Sequence, residues 1–496
     1  MSVIARDLAY VYPTGETLGP FEFSAERGQL LVIAGPSGCG KSTLVRMLAG
    51  IAGRHGAGTI RGELRIEGID PAMARPADRL RTVGYVPQEL AHALVAETVA
   101  EELAFPLESL CVPPREIAEK VQGTDLQRKT ATLSGGQRQR LAVRAAQIAG
   151  AKWLILDEPL AHLDPLAALE AIDEWKALCA AGFGVIVAEH RLEALFERAD
   201  RLMWMDRGRI LGNAAPGGAD LAEFRRLGLS IPGMLDAEDR LGRPLGVVSI
   251  SPSAASQESP PGKVLLSAGP LTVDFGSHRA LDGVELELRA GERVALLGGN
   301  GSGKSTCLRC LDGELFGGLV RAEGTVIAVP QDPDLALFCA TVRQELEYGA
   351  QGAIEPLLSS FGLAELGDRP PQGLSRGQRL RAAVAAAVAC KPAILLLDEP
   401  TAGQDRAQVE GMLTALVNTL DQSALLFATH EVEVALRFAT RVIVLDAGQK
   451  IADGLPERVL FGLPEGIPLV IPALQRWCHE RGLPPMTPAE IAGAVR

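Results

Sequence analysis

The chain has 496 residues, of which 47% are hydrophobic and 22% charged, and its net charge is −12. This length exceeds what one hydrophobic core usually organises, so two or three domains are expected, and the composition excludes a disordered or fibrous protein. The acidic balance argues against a surface built mainly to neutralise the phosphates of nucleic acid.

The sequence predicts neither a membrane span nor an export signal. Its longest apolar run, from Ala382 to Cys390, is far shorter than the roughly 18 residues needed to cross a bilayer. Charges among residues 1–7 fall where a secretory signal would place its apolar core. We therefore expect a cytoplasmic protein with reduced thiols. Cys307 and Cys310 form one C-x-x-C, which we interpret as part of a packed helix and not as a metal site.

A Gly-rich loop in the first half predicts a phosphate site. Leu30–Ala34 is an apolar run, and residues 35–43 after it match G-x-x-x-x-G-K-[ST], the pattern of a phosphate-binding loop between a strand and a helix. Such a loop points backbone NH groups and the positive end of a helix at phosphates. Lys41 would reach the outer phosphates, and Ser42 would be a ligand of Mg²⁺. The expected nucleotide-binding residues of this loop are Gly35, Gly38, Gly40, Lys41, Ser42 and Thr43.

A Leu-Ser-Gly-Gly-Gln segment follows further along the chain. Its Ser134, Gly136 and Gln137 open an Arg- and Ala-rich stretch of helical character. A Gly-rich turn with Ser at the start of a helix forms another anion-binding end, so these residues are candidates for nucleotide contact. The alternative is that Ser134 is only a helix N-cap.

Two acids and a histidine come directly after apolar strands. Asp157 would hold the hydration shell of Mg²⁺ beside the phosphate loop, and Glu158 would polarise the attacking water as a general base. His190 follows another apolar strand and is interpreted as a contact of the γ-phosphate. The alternatives are a solvated strand-end charge for Glu158 and a structural role for His190.

The second half repeats this set in the same order, so the chain is an internal duplication. Because buried apolar runs alternate with helical stretches in both halves, we predict an α/β fold with a parallel sheet in each. The second half is shorter between its phosphate loop and the next Gln, so it is expected to lack part of a peripheral β segment. The equivalent candidates are Gly298, Gly301, Gly303, Lys304, Ser305, Thr306, Ser375, Gly377, Gln378, Asp398, Glu399 and His430.

A Ser- and Pro-rich stretch separates the two halves and suits a solvated linker. We place a first nucleotide-binding domain at residues 3–234, the linker at 235–262, and a second nucleotide-binding domain with a C-terminal extension at 263–496.

Together these motifs resemble the ATP-binding cassette family over almost the whole of both halves. The resemblance implies tandem P-loop ATPase domains that bind ATP and Mg²⁺, each with an antiparallel β subdomain and a helical signature subdomain. It implies that the cassettes pair within the chain, with each phosphate loop facing the other cassette's signature. It also implies that Gln88 and Gln331 contact Mg²⁺ and that Tyr12 and Phe275 stack on adenine. Arg376 departs from the Gly usual in the signature, but both acid and histidine sets are complete, which predicts two competent sites.

Residues 332–342 look like the ATPase of energy-coupling factor importers, which carry vitamins, vitamin precursors or transition metals. This resemblance implies a peripheral position on the cytoplasmic side of the cell membrane. The implied partners are a coupling subunit and a substrate-binding membrane subunit, with no nucleic acid. A fused sugar-import ATPase and a translation-associated tandem cassette protein acting on ribosomes remain alternatives. The former usually has a degenerate second site and the latter a helical, charged linker, whereas a DNA-repair cassette enzyme would need zinc-binding insertions.

Overall fold

The computed structural model describes residues 2–36, 38–53, 58–88, 94–123, 125–161, 163–248, 250, 262–276, 278–401, 404, 406–464 and 466–495. The chain forms two compact units, Met1–Pro232 and Gly233–Arg496. Most of the Ser- and Pro-rich stretch, residues 251–261, lies outside the described residues.

The first unit is an α/β domain with two sheets. Its strands are β1 Ser2–Val11, β2 Thr17–Glu26, β3 Leu30–Ala34, β4 Thr59–Ile66, β5 Val83–Val86, β6 Trp153–Asp157, β7 Gly184–Glu189, β8 Arg201–Asp206 and β9 Arg209–Ala214. Its helices are α1 Lys41–Leu48, α2 Pro76–Leu80, α3 Val99–Ser109, α4 Pro114–Lys120, α5 Gly135–Ile148, α6 Pro165–Ala180 and α7 Leu221–Arg226.

The central sheet of this unit has the strand order β5-β6-β7-β3-β8-β9. All neighbouring strands are parallel except β8 and β9. Every residue of β3, β6 and β7 is buried, as expected for apolar strands covered on both faces. A second, antiparallel sheet has the order β2-β1-β4. Because the carboxyl ends of the parallel strands meet at one edge, side chains that follow these strands lie close together.

The second unit repeats this plan and adds a helix before its first strand. Its strands are β10 Val264–Phe275, β11 His278–Arg289, β12 Arg293–Leu297, β13 Val320–Ala322, β14 Val326–Val329, β15 Ile394–Asp398, β16 Ala424–Thr429, β17 Arg441–Asp446 and β18 Gln449–Gly454. Its helices are α8 Gly233–Leu241, α9 Lys304–Leu311, α10 Val342–Glu347, α11 Glu355–Ser360, α12 Arg376–Ala389, α13 Arg406–Thr419, α14 Val432–Phe438, α15 Pro456–Leu460, α16 Ala473–Glu480 and α17 Pro488–Ala494.

The order of the second central sheet, β14-β15-β16-β12-β17-β18, is equivalent to that of the first. The predicted α/β fold with mostly parallel core sheets is confirmed in both units. The shortening of the second half is also confirmed, because β13 has 3 residues where β4 has 8. Cys307 and Cys310 lie buried in α9, as the packed-helix interpretation predicts. None of the helices in the described ranges has the length and apolar character needed to span a bilayer.

Helices α8, α16 and α17 form a C-terminal helical cluster with its own small core. Ala237 and Leu245 from one end of the unit pack with Leu474, Trp477 and Ile491 from the other. The guanidinium of Arg481 lies over the ring of Trp477, 4.5 Å from its centroid. The domain boundaries inferred from the sequence stay a prediction. In the structure, α8 and the turn after it fall largely within the predicted linker, 235–262.

The cluster also contacts the helix that follows the second candidate histidine. The buried side chain of Gln475 in α16 donates through Nε2 to Glu433 Oε1 of α14 at 3.3 Å and to the carbonyl of Met486 at 3.1 Å. Next to it, the rings of Phe461 and His479 stack with centroids 3.7 Å apart. Polar and aromatic contacts therefore join the cluster to the rest of the second unit.

We expect Leu474→Ala to loosen α8 as well as α16, because removal of a buried leucine side chain costs about 2–5 kcal/mol. Hydrogen exchange followed by mass spectrometry should become faster in both helices and stay unchanged in β3 and β6. Leu211→Ala on the edge strand β9, where the side chain is 40% exposed, is the matched control. Faster exchange in α16 alone would contradict the packing of α8 against it.

Candidate active site

Each unit holds a Gly-rich loop between the middle strand of its central sheet and the next helix. Gly40 caps α1 with a left-handed φ of 107°, and Gly303 caps α9 with a φ of 102°. A Cβ on Gly40 would lie 2.3 Å from the side chain of Leu18. Gly38 and Gly301 both have a φ of 78°. The turn therefore needs glycine, and it directs the N-terminus of a helix at the space where phosphate would bind.

The two loop lysines lie across their own loops. Lys41 Nζ donates to the carbonyl of Gly35 at 2.7 Å and to that of Pro36 at 3.0 Å. Lys304 Nζ makes the equivalent bonds, at 2.9 Å and 3.0 Å, with Gly298 and the next residue. Both lysine side chains are buried, and their ammonium groups are held by backbone carbonyls of the phosphate loop. A lysine of such a loop binds phosphate oxygens from this position.

The strand-end aspartates meet the hydroxyls of the phosphate loops. Ser42 Oγ donates to Asp157 Oδ1 at 3.0 Å, and the hydroxyl of Tyr85 donates to Asp157 Oδ2 at 3.3 Å. Burial raises the pKa of the Asp157 carboxyl, and the hydroxyl of Ser42 partly offsets this. In the second unit burial likewise raises the pKa of Asp398, with Ser305 opposing the rise.

These groups fit a Mg²⁺ ion. Oδ1 of Asp398 is buried and has no hydrogen-bond partner among the described residues. A buried carboxylate oxygen next to a hydroxyl supplies the hard oxygen ligands that Mg²⁺ prefers. When bound, the ion would neutralise charge that develops on phosphate oxygens. Ser42, Asp157, Ser305 and Asp398 are the residues that would hold it.

The two candidate general bases share a backbone conformation that glycine normally adopts. The φ of Glu158 is 46° and that of Glu399 is 48°. The NH of Glu158 donates to the carbonyl of Ala188 at 2.9 Å, and that of Glu399 donates to Ala428 at 3.0 Å. A left-handed conformation costs a non-glycine residue about 1–3 kcal/mol, and such strain is concentrated at functional sites. The same strained turn therefore recurs in both units, and the catalytic role of the glutamates stays a prediction.

The partners of the two glutamates differ. Gln88 Nε2 donates to Glu158 Oε2 at 2.8 Å, while Nδ1 of His190 lies 3.9 Å from Glu158 Oε1. Burial raises the pKa of the Glu158 carboxyl, and the charge of His190 partly offsets this. Glu399 is instead met by His430, whose Nδ1 lies 3.1 Å from Oε2, and by Lys304, whose Nζ lies 3.8 Å from Oε1.

Both signature serines cap helices. Ser134 Oγ accepts from the NH of Gln137 at 3.3 Å, and Gln137 Oε1 accepts from the NH of Ser134 at 3.1 Å. Ser375 and Gln378 make the same reciprocal bonds at 3.3 Å and 2.9 Å. These capping boxes explain why helices begin at both segments. The nucleotide contacts of these residues, and of Gly136 and Gly377, stay a prediction.

The residues predicted to stack on adenine or to contact Mg²⁺ are placed unevenly. The hydroxyl of Tyr12 shares a 2.7 Å hydrogen bond with Oγ1 of Thr43, which holds this ring beside the first phosphate loop. Phe275 is half exposed at the end of β10, and Gln331 is exposed after β14. Thr306 occupies the position in α9 that Thr43 has in α1. The first unit thus assembles more of the predicted set than the second.

The sequence motifs leave one buried acid beside His190 unassigned. Glu189, the last residue of β7, is fully buried and lies 3.1 Å from Nδ1 of His190. Its signal was the presence of an acid at the end of an apolar strand where the second half has Thr429. The ion pair between Lys304 and Glu399 was likewise not predicted.

Comparison with known proteins places these motifs in one family. A sequence profile described as "ABC transporter" matches residues 18–161 and 281–402. A "Putative ABC transporter ATP-binding protein" of Methanosarcina acetivorans is 32% identical over 92% of this chain and 85% of its own length. A protein of the same name from Streptomyces avermitilis is 33% identical over 93% of this chain and 95% of its own length.

Among solved structures, the chain is similar to an archaeal ribosome recycling factor determined in complex with an archaeal ribosomal stalk protein. The alignment covers 96% of this chain and 98% of that one, with a TM-score of 0.62 and 23% identity. At this level of identity the similarity shows the fold of two tandem cassettes alone.

We expect the double variant Glu158→Gln/Glu399→Gln to lose about 10²–10⁴-fold in ATP turnover, because the amide cannot act as a general base. Each single variant should lose about half of the turnover or more if both sites are competent. Steady-state phosphate release measures this, and ATP binding by each variant serves as the control for folding. Loss in only one of the two single variants would show that the other site is structural.

Proposed function

Because this chain belongs to the ABC transporter family and is an ATPase, we propose that it is the energy-coupling subunit of an importer of the energy-coupling factor type. It hydrolyses ATP with Mg²⁺ and drives separate transmembrane subunits, a coupling subunit and a substrate-binding subunit. The transported solute is a vitamin, a vitamin precursor or a transition metal. The chain works on the cytoplasmic face of the membrane.

The residues of each site have defined roles in this proposal. The phosphate loops hold ATP, with Lys41 and Lys304 on its outer phosphates, and the strand-end aspartates hold Mg²⁺. Glu158 and Glu399 polarise the attacking water, and the histidine of each unit contacts the γ-phosphate. The signature serines and their neighbours are further candidates for contact with nucleotide.

The observation that carries the transport proposal is an apolar docking surface that occurs once in each unit. It consists of Val95 and Phe105 in the first unit and of Phe338 and Tyr348 in the second. Their side chains are 64%, 50%, 72% and 73% exposed, respectively. Each pair occupies equivalent positions before and after the threonine that caps the next helix, α3 or α10. The recurrence of exposed apolar side chains at the same two positions of both units is what supports a contact surface here.

A buried glutamate fixes the backbone of each docking surface. Oε2 of Glu102 accepts from the NH groups of Val95 and Ala96, both at 2.9 Å. In the second unit Glu345 accepts from the NH of Cys339. Both glutamates are buried on the first turn or two of a helix, so their cost of burial is offset by these bonds. A loop held in this way presents its apolar side chains at low entropic cost on binding.

The occupant that we propose is an amphipathic helix of a membrane subunit. In sequence, Phe338 follows Gln331 by 338 − 331 = 7 residues, and the family resemblance places that glutamine at Mg²⁺. Two equivalent surfaces on one chain suit two equivalent helices of the membrane subunits. The ribosomal alternative rests on similarity of fold, and the docking surfaces give it no further support.

Affinity purification of the tagged full chain from detergent-solubilised native membranes tests the proposal. Small multispanning membrane proteins in stoichiometric yield are expected, and the solute bound to them would identify the transported compound. Ribosomal proteins in their place would overturn the proposal in favour of a translation-associated ATPase. Recovery of a sugar permease would assign the chain to sugar import.

Phe338→Asp should reduce this co-purification, and its combination with Val95→Asp at the first surface should abolish it, because a charge in the apolar contact costs several kcal/mol, on the order of what one hot-spot residue contributes. Phe316→Asp is the matched control, since its ring is 91% exposed in the turn between α9 and β13. Thermal melting of both variants verifies that they are folded. Undiminished recovery of membrane subunits with Phe338→Asp, Tyr348→Asp and their double variant would contradict docking at this surface.

A further inference from the structure

The two units differ at one buried position next to their candidate histidines. Glu189 ends β7 and pairs in register with Ala34 of β3. Thr429 ends β16 and pairs with Leu297 of β12 in the same way. The positions are thus equivalent, and both side chains are fully buried. One unit places an acid where the other has a hydroxyl.

The carboxylate of Glu189 joins two segments of the first site. Its Oε1 accepts from the NH groups of His190 at 2.8 Å and Arg191 at 3.1 Å. Its Oε2 accepts from the NH of Leu160 at 3.3 Å. Leu160 belongs to the turn that begins at Glu158, so the carboxylate links the histidine segment to the segment of the candidate general base.

The ring of His190 also lies against this carboxylate. Its Nδ1 is 3.1 Å from Glu189 Oε1 and 3.9 Å from Glu158 Oε1. The shorter approach is at ion-pair distance, although it is not aligned as a hydrogen bond. Burial raises the pKa of Glu189, but the side-chain contact with His190 and the charges of His190 and Arg191 outweigh it and lower the pKa of the carboxyl to about 2.

The second unit holds its histidine differently. Oγ1 of Thr429 accepts from the NH of Glu431 at 3.1 Å. The imidazole of His430 contacts Glu399, the candidate general base, with Nδ1 3.1 Å from Oε2. Glu431 also replaces Arg191, so the charges beside the histidine are of opposite sign in the two units.

We propose that Glu189 is a positioning residue of the first site. Its carboxylate orients the ring of His190 by lying against Nδ1, and it holds the segment of Glu158 through the NH of Leu160. The side chain of Glu158 then accepts from Gln88 and is not the partner that orients His190. The second site has Thr429 at this position, and His430 is oriented through Glu399. The two sites therefore set their attacking water by different contacts. This inference rests on the proposed role of His190 at the γ-phosphate.

The variant Glu189→Thr, which copies the second unit, tests this idea in a chain with Glu399→Gln, where the first site supplies the turnover. If that chain does not turn over, the same comparison is made in the otherwise unmodified chain. We expect kcat to fall about 10-fold, the lower end of the loss seen when the hydrogen-bonding partner of a metal-bound histidine is removed, with KM for ATP unchanged. Glu189→Gln, which keeps the size and the acceptor oxygen, should restore part of the loss.

A spectroscopic readout separates positioning from stability. In the nucleotide-free full chain labelled with ¹⁵N-histidine, Glu189→Thr should shift the Nδ1 resonance of His190, assigned by its loss in His190→Ala. Thr82→Val, which removes a buried hydroxyl bonded to the carbonyl of Asp78, is the matched control and should leave both the His190 resonance and turnover unchanged. If both variants of Glu189 leave kcat and the His190 resonances unchanged, the positioning role is wrong. If His190→Ala retains full turnover, the proposed role of His190 fails instead.

Discussion

Acidic side chains buried at the ends of parallel strands are the constraint on which both units depend. Asp157 is buried and Asp398 is partly buried where the sheet, the phosphate loop and the next helix meet, and burial raises the pKa of both carboxyls. Such acids are tolerated only when donors or cations meet them. The loop serines and the hydroxyl of Tyr85 supply part of that compensation, and a divalent ion would supply the rest. The same geometry that makes the site costly to fold makes it receptive to Mg²⁺.

The duplication kept the backbone of the site and changed its side-chain contacts. The left-handed conformation of Glu158 recurs at Glu399, and each glutamate takes the same backbone acceptor on the neighbouring strand. Their side-chain partners differ, because Gln88 meets the first glutamate and His430 meets the second. Geometry that is set by strand register survives divergence more readily than contacts between long side chains. The two sites therefore share one backbone conformation and differ in the arrangement of their charged side chains.

Local motifs were open to sequence reasoning because each is contained in one strand, loop and helix. The two phosphate loops and the capped helices at Ser134 and Ser375 follow from patterns within a few residues, and the short β13 follows from comparing the length of one segment between the two halves. The positive φ of Glu158 does not, because it is imposed by pairing with a strand distant in sequence. The contacts of Glu189 could not be predicted for the same reason, because Leu160 is distant in sequence and becomes its neighbour only when the sheet forms. The roles of the site residues stay predictions until variants are measured.

The C-terminal helical cluster has a consequence for how this protein could be divided. Ala237 and Leu245 precede residues 251–261, whereas Leu474 and Ile491 follow them at the far end of the second unit. A polypeptide split within that stretch would leave one half of a small core on each piece. The pieces would be complementary fragments that reassociate without a peptide link, and the second would expose apolar surface until they did. Two genes encoding the halves separately would keep the second piece whole only if it began at Gly233, before α8.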